Sequence, residues 1–144
     1  GSGDVVLNGV NATRLVVDAG AGDVRGEGVR APDLSLDTGA GDVRLARVEA
    51  RTIRLDSGSG SVDLDLAADV DDVRIDSGSG SVTLRVPPSL GAEVDVEMGS
   101  GGFDTQLPIR VSRSERRHLT GTVGDGRGRI VIDSGSGAVR MVAR

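Results

Sequence analysis

Carboxylates recur along the chain at a spacing that suggests one row. Five aspartates and a glutamate each precede a glycine-rich turn, at intervals of 19, 19, 20, 21 and 36 residues: Asp18, Asp37, Asp56, Asp76, Glu97 and Asp133. If these units stack as neighbouring strands, the carboxylates lie about 5 Å apart and repel each other. Calcium would relieve that repulsion, because it binds several carboxylate oxygens at once. The candidate calcium ligands are Asp18, Asp37, Asp56 and Asp76.

The same carboxylates have a structural alternative, which we favour. Each lies directly before a Gly-x-Gly turn, where its oxygens would accept backbone N–H groups of that turn. This role explains the short aspartate side chain at nearly every copy. The calcium-binding repeats of β-helices have a much shorter period and place aspartate after the glycines. The sequence therefore predicts carboxylates that cap corners, and no metal or other cofactor.

Arginines concentrate in one segment of the chain. Six of the 17 basic residues lie within twenty positions: Arg110, Arg113, Arg116, Arg117, Arg127 and Arg129. Only Glu115 and Asp125 oppose them there. Because guanidinium groups suit phosphate and sulfate, lipid headgroups or an anionic envelope polymer are candidate ligands. The alternative, which we favour at this stage, is a solvated loop that stops the end of the fold from pairing with other strand edges.

The chain offers little material for catalysis. His118 is the single histidine, and its arginine-rich surroundings predict a solvated loop residue. No helical pattern follows any Gly-Ser-Gly, so the nucleotide-binding fingerprint is absent. A polysaccharide-active β-helix enzyme is the least favoured alternative, since Phe103 is the only aromatic side chain available for a sugar subsite. We expect a protein that is not an enzyme.

A repeat of about 19–20 residues positions all of these side chains. Apolar residues alternate with polar ones on both sides of each turn, as in Leu34/Leu36 and Val43/Leu45, which predicts two short strands per unit. Glycines make one corner, where sharp turns and close backbone approach need them. The corner glycines are Gly20, Gly22, Gly39, Gly41, Gly58, Gly60, Gly78, Gly80, Gly99, Gly101, Gly135 and Gly137. The regular period predicts an all-β fold, a parallel β-solenoid of six to seven coils.

The boundaries within this fold follow from the regularity of the repeat. One domain is expected over residues 1–144, with regular coils over 1–107. The polar segment 110–118 is expected to be a loop inserted at the variable corner. Residues 119–144 are expected to form irregular coils at the C-terminal end of the stack, because terminal repeats are often atypical.

Composition limits the partners. The net charge of −5 argues against general nucleic-acid binding. No run approaches the length of a transmembrane segment, and no signal peptide is visible. An export signal or membrane anchor is therefore expected outside this sequence.

The turns and the closing segment resemble a known family. The run Asp56-Ser57-Gly58-Ser59-Gly60 and its copies, with the ending at residues 119–137, resemble adhesin-like bacterial domains of unknown function. They are similar to toastrack and autotransporter-adhesin-head domains. The resemblance implies a right-handed β-helix in an exported or membrane-tethered protein of the bacterial envelope. It favours a non-enzymatic, adhesin-like binding module, with a structural or envelope-stress-sensing scaffold acting through self-association as the alternative.

Overall fold

The computed structural model describes residues 4–67, 70–87, 91–99, 102–105, 109–114 and 118–143, which form strands and turns without a helix. The strands are β1 (Val5–Asn8), β2 (Arg14–Ala21), β3 (Val24–Glu27), β4 (Asp33–Ala40), β5 (Val43–Val48), β6 (Thr52–Ser59), β7 (Val62–Leu66), β8 (Asp72–Ser79), β9 (Val82–Val86), β10 (Ala92–Met98), β11 (Phe103–Thr105), β12 (Ile109–Ser114), β13 (His118–Val123), β14 (Gly128–Ser134) and β15 (Val139–Ala143). Sheet A has the order β12-β13-β10-β14-β8-β6-β4-β2, and sheet B has the order β1-β3-β5-β7-β9-β15-β11. From β1 to β11 the chain alternates between the two sheets, and the strands of stacked coils pair in parallel. The predicted parallel β-solenoid is confirmed.

Ladders of aliphatic side chains fill the space between the sheets. Leu34 lies opposite Ile53, which lies opposite Val73, and each is at most 1% exposed. Full burial of such a side chain contributes about 1.5–3 kcal/mol. The intervening residues point outward from each sheet, so period-two alternation determines both the core and the charged faces.

The order of the coils differs from the order of the sequence. Strand β14 lies between β8 and β10, and β15 lies between β9 and β11. The last coil of the sequence is therefore inserted between the two coils that precede it. Ile130 pairs with Val73, and Ile132 pairs with Ile75, in an unbroken parallel register. The prediction of irregular, terminal coils over 119–144 is therefore wrong for residues 128–143, whereas residues 119–123 lie in β13, near the outer end of sheet A. The period shows which residues form a coil, but it does not show where that coil stacks.

The segment after β11 forms a hairpin at one end of sheet A. Strands β12 and β13 pair antiparallel, and β13 also pairs antiparallel with β10. The predicted loop at 110–118 is wrong for residues 110–114 and for His118, which lie in these strands, while residues 115–117 lie outside the described part. The register shifts between Val111 and Arg113. This irregularity interrupts the apolar alternation, which is why the sequence pattern does not show β12.

A short turn carries the chain from the outer hairpin back into the stack. Residues 124–127 cross the beginning of β10, since β13 ends and β14 begins beside Ala92. The turn closes with a hydrogen bond from Gly126 N to Val123 O at 3.3 Å, and Gly128 N then donates to Gly91 O at 3.0 Å. A Cβ atom on Gly91 would overlap the carboxylate of Asp125. The absence of a side chain at Gly91 therefore allows the crossing.

The two glycines of a regular corner, such as Gly58 and Gly60, meet different requirements. A Cβ on Gly58 would lie 2.5 Å from the carbonyl oxygen of Gly39 in the adjacent coil. The second glycine of that corner, Gly60, has a φ of 108°, in a region that side chains rarely adopt. The first glycine thus permits close stacking and the second permits the turn. Gly101 of the predicted corner set lies outside the described residues.

Candidate functional site

Outward-facing side chains of sheet A form rows that run perpendicular to its strands. One row consists of carboxylates, which follow each other in register in the spatial order Asp18, Asp37, Asp56, Asp76, Asp133 and Glu97. Parallel strands place neighbours about 4.8 Å apart. Asp133 precedes Glu97 in this spatial order, although it follows Glu97 in the sequence, because the last coil is inserted before the coil of Glu97. Glu97 then pairs in register with His118 of β13.

These carboxylates do not cap the corners. They lie within strands and are exposed. For Asp18, Asp37 and Asp56, the corner that follows is hydrogen-bonded by other carboxylates. The first corners of the stack are instead bridged by an aspartate directly after Gly-x-Gly: Asp4, Asp23 or Asp42. Asp4 Oδ1 accepts the N–H of Asp23 at 3.0 Å, and Asp23 Oδ1 accepts the N–H of Asp42 at 2.9 Å. The favoured interpretation of the row as corner caps is therefore wrong, because a carboxylate before the turn points away from it.

Hydroxyl groups complete the inner side of the same corners. Thr38 and Ser57 are buried, and their hydroxyls donate to the carbonyl oxygen two residues ahead, at 3.3 and 3.4 Å. Ser134 donates to Gly137 O at 2.9 Å. Hydroxyls thus hold these three corners from inside, whereas the buried hydroxyl of the equivalent Ser77 has no hydrogen-bond partner among the described residues.

The position of Asp76 within the acidic row shifts the pKa of its carboxyl group. Partial burial, followed by the charges of Asp133 and Asp56, raises the pKa of Asp76 above its usual range. Because the folded-state pKa is the higher one, ionised Asp76 lowers stability once the pH rises above the unfolded-state value. The described residues contain no group of three or more acidic or histidine side chains placed to hold a metal ion. We therefore propose no metal site at this row of carboxylates.

A pair of arginines forms a ridge beside the acidic row. Arg54 and Arg74 occupy register positions directly opposite each other on β6 and β8. Between this ridge and the carboxylates of Asp56 and Asp76 lies a shallow, open depression of about 240 Å³. Charge spacing in the sequence suggests Asp95 as the neighbour of Arg74, but Val131 of the inserted coil separates them.

Of the six clustered arginines, the structure describes the side chains of Arg127 and Arg129, and these two have different neighbours. Arg127, in the crossing turn, pairs with Asp125 at 3.2 Å, and Arg129 lies in register between Asp72 and Glu93. Arg110 and Arg113 lie on β12, at register positions opposite Thr122 and Thr120. Arg116 and Arg117 lie outside the described part of the chain.

The single histidine belongs to the strand end of β13. His118 is partly buried, and its Nε2 atom contacts the carboxylate of Asp95 on β10. The predicted solvated loop position is wrong. The sequence signal that was missed is the alternation of Leu119, Gly121 and Val123, whose neighbours Thr120 and Thr122 take the opposite face.

These features define a repeat domain of the parallel β-solenoid class, with a closed aliphatic core and charged outer faces. The family model for Toastrack DUF4097 matches residues 1–141, and the chain belongs to this family. Toastrack domains are associated with proteins of the bacterial envelope and surface, and the family is a domain of unknown function. No curated protein and no solved structure matches the chain significantly. A helix long and apolar enough to cross a membrane is not found among the described residues.

Proposed function

We propose that this chain is a non-enzymatic binding module of the bacterial envelope, which contacts an anionic polymer or lipid headgroups with one end of its rod. One observation carries the proposal, namely the separation of charge along the solenoid. Residues 110–129 hold six arginines against two acidic residues, a net charge of +4, while the rest of the chain holds eleven arginines against 20 acidic residues, a net charge of −9.

The fold converts this separation in sequence into a separation in space. Strand β12 is the outermost strand of sheet A, and β13 lies next to it, whereas the acidic row occupies the strands below. We call residues 109–127 the basic pole, which leaves out Arg129 because β10 separates its strand, β14, from the hairpin. An anionic surface approaching along the axis of the solenoid meets the basic pole first, because the acidic strands lie further from that end.

The ion pair at the basic pole leaves its arginine available. The side chain of Arg127 is 88% exposed, and that of its partner Asp125 is 58% exposed. Exposed ion pairs contribute only about 0–1 kcal/mol. A phosphate or sulfate group that makes a bidentate contact with the guanidinium would therefore displace the carboxylate at little cost.

Co-sedimentation with lipid vesicles tests this proposal. The chain is mixed with phosphatidylcholine vesicles, with vesicles containing phosphatidylglycerol, and with a purified teichoic-acid-type polymer, across a salt series. We expect binding to the anionic samples that weakens as salt is added. The Arg113/Arg116/Arg117→Ala variant should bind about a hundredfold more weakly, because each arginine near an anionic surface contributes about 1 kcal/mol.

The control variant removes the same charge elsewhere. Arg25/Arg44/Arg54→Ala alters exposed positions on β3, β5 and β6 and should bind as the parent does. Equal loss in both triple variants would show a general charge effect and contradict a site at the basic pole. Absence of binding by the folded parent would contradict the proposal as a whole.

A second candidate function is a scaffold that self-associates. It is favoured by two large hydrophobic side chains that are exposed among the described residues, Val6 on β1 and Val16 on β2. The molecular mass in solution distinguishes the two candidate functions. A module that acts only through the basic pole can be a monomer, whereas a self-associating scaffold forms oligomers.

A further inference from the structure

Arg47 occupies a position of the repeat that holds glycine in the two preceding coils. Its φ is 53°, and it is the one non-glycine residue with a positive φ among the described residues. The equivalent residues, Gly28 and Gly9, have φ values of 66° and 60°. A side chain is strained in this backbone conformation, whereas glycine is not. The turn itself therefore does not explain why arginine stands here.

The strained backbone belongs to a bulge at the end of β5. The register of β5 with β7 shifts between Leu45 and Val48, so two residues of β5, Ala46 and Arg47, lie opposite one residue of β7. Bulges redirect side chains and are common beside functional sites. The redirected side chain of Arg47 is exposed, and its guanidinium lies 3.3 Å from the carboxylate of Glu27 in the preceding coil.

The ion pair with Glu27 does not account for the arginine either. The side chain of Arg47 is 67% exposed and that of Glu27 is 58% exposed, and pairs as exposed as this contribute little to stability. The strain at Arg47 is at least as large, so glycine at this position would give a fold of similar or greater stability. Strained residues cluster at binding sites, and a binding role explains what stability does not.

A depression of about 320 Å³ lies beside Arg47. It includes Ala67, directly after β7, so it lies at the step between a coil with the bulge and a coil without it. Val29 is buried and both arginines are exposed, so the apolar part lies deepest. A volume of about 300 Å³ is at the lower end for small-molecule sites and suits a ligand of one ring. The lining residues are Gly28, Val29, Arg30, Arg47, Glu49 and Ala67.

The charges around the depression determine which ligand fits. Arg30 Nε donates to Glu49 Oε2 at 2.6 Å, and this hydrogen bond raises the pKa of Arg30 above its usual value. Arg30 is therefore engaged, whereas Arg47 can exchange the exposed Glu27 for a ligand at little cost. Two arginines and two glutamates carry no net charge together, which favours a ligand with one negative charge over a phosphate dianion. The oxygens of Glu49 also accept hydrogen bonds from hydroxyl groups.

We propose that this depression binds a sugar acid, a ligand with one carboxylate and several hydroxyl groups. The carboxylate makes a bidentate contact with Arg47 in place of Glu27, because the planar guanidinium matches its geometry. Hydroxyl groups donate to Glu49, and the C–H face of the ring lies against Val29 and Ala67. A free sugar acid and a residue of a polysaccharide present the same groups. The site lies at the end of β5 in sheet B and does not depend on the basic pole, which belongs to sheet A.

Nuclear magnetic resonance titration of the folded chain at constant ionic strength tests the proposal. We expect D-glucuronate to bind with a dissociation constant of about 1 mM, as suits a shallow site, and to shift the backbone amide signals of Gly28, Arg47 and Ala67. Acetate offers the carboxylate alone, glucose offers the hydroxyl groups alone, and glucose 6-phosphate offers a dianion. Each of these three should bind about tenfold more weakly or worse.

Arg47→Gly separates binding from stability. It removes the guanidinium and the strain together, so the affinity for glucuronate should fall about tenfold or more, while the unfolding temperature stays the same or rises by a few degrees. Removal of a purely structural arginine would instead lower the unfolding temperature and leave the affinity unchanged. Arg44→Ala changes another exposed arginine of β5 and should bind glucuronate as the parent does.

Methyl glucuronide, in which the anomeric oxygen is blocked, distinguishes the two sources of the ligand. Binding equal to that of glucuronate would support a residue within a polysaccharide, and weaker binding would support the free sugar acid. Glucuronate that leaves the three amide signals unchanged would overturn the proposal. So would equal binding of acetate or glucose 6-phosphate, or an unchanged affinity in Arg47→Gly.

Discussion

Replacing Ile132 with alanine is expected to lower the free energy of unfolding by about 2–5 kcal/mol, the range for large-to-small changes in a packed core. Ile132 lies on β14, in register with Ile75 on one side and Val96 on the other, and its side chain is fully buried. Domains are typically stable by only about 5–15 kcal/mol. This single change near the C-terminal end of the sequence should therefore remove much of the stability.

Urea unfolding followed by circular dichroism measures this effect, and Ile53→Ala provides the matched reference. Ile53 has the same side chain, is 1% exposed, and lies on β6 in the middle of the stack. The two variants should lose similar stability. A small loss for Ile132→Ala beside a large loss for Ile53→Ala would place the last coil at the end of the solenoid and contradict its insertion.

The second large effect is expected at the corner glycines. Gly60→Ala should cost about 3 kcal/mol or more, because a φ of 108° strains any side chain by about 1–3 kcal/mol and the new Cβ adds a steric overlap. The overlap is with the carbonyl oxygen of Gly41 in the neighbouring coil. Relief would require the two coils to separate, which would break the adjacent strand pairing.

Thermal unfolding compares this variant with Gly102→Ala. Gly102 is exposed, its φ lies outside the strained region, and a Cβ there would have no atom within 4 Å. The control should unfold within a few degrees of the parent, whereas Gly60→Ala should unfold far earlier or fail to fold. Equal unfolding temperatures of the two variants would show that neither the positive φ nor the close approach of the coils requires glycine at this corner.

The repeat in the sequence contains enough information to predict the fold but not the order of its coils. Ile130-x-Ile132 matches Val73-x-Ile75 in shape and polarity, so the sequence alone allows the last coil to stack on several others. The order depends on β13 pairing antiparallel with the outer edge of β10 and on the short turn that passes over Gly91. These contacts join distant segments and leave no periodic signal.

The sequence predicts the row of carboxylates in the candidate site, but not the residues that cap the corners. A period of about 19 residues places the aspartates in one row, and the register shows this row. The sequence does not show which polar residue caps the corner, since carboxylates flank the turn on both sides. The aspartate before the turn is held in a strand and faces outward, while Asp23 or Asp42 after it is free to reach the next coil.

The clustered arginines show a second limit of prediction from the sequence. Their proximity in sequence suggests one cluster, but β10 separates Arg129 from the hairpin. In our proposal the basic pole acts as an electrostatic region of the surface, and Arg129 does not belong to it. Such a region suits polyanions that offer many equivalent charges, because no single geometry has to be satisfied.

Insertion of the last coil is the central structural claim, since it determines which side chains share the outer face of sheet A. Disulfide formation tests it directly, because the chain contains no cysteine of its own. Arg74→Cys/Val131→Cys should form a disulfide under mild oxidation, since paired parallel strands place the Cα atoms about 4.8 Å apart. Arg74→Cys/Asp95→Cys should stay reduced, because β14 separates the two positions by about 10 Å. A disulfide in the second variant and none in the first would contradict the insertion.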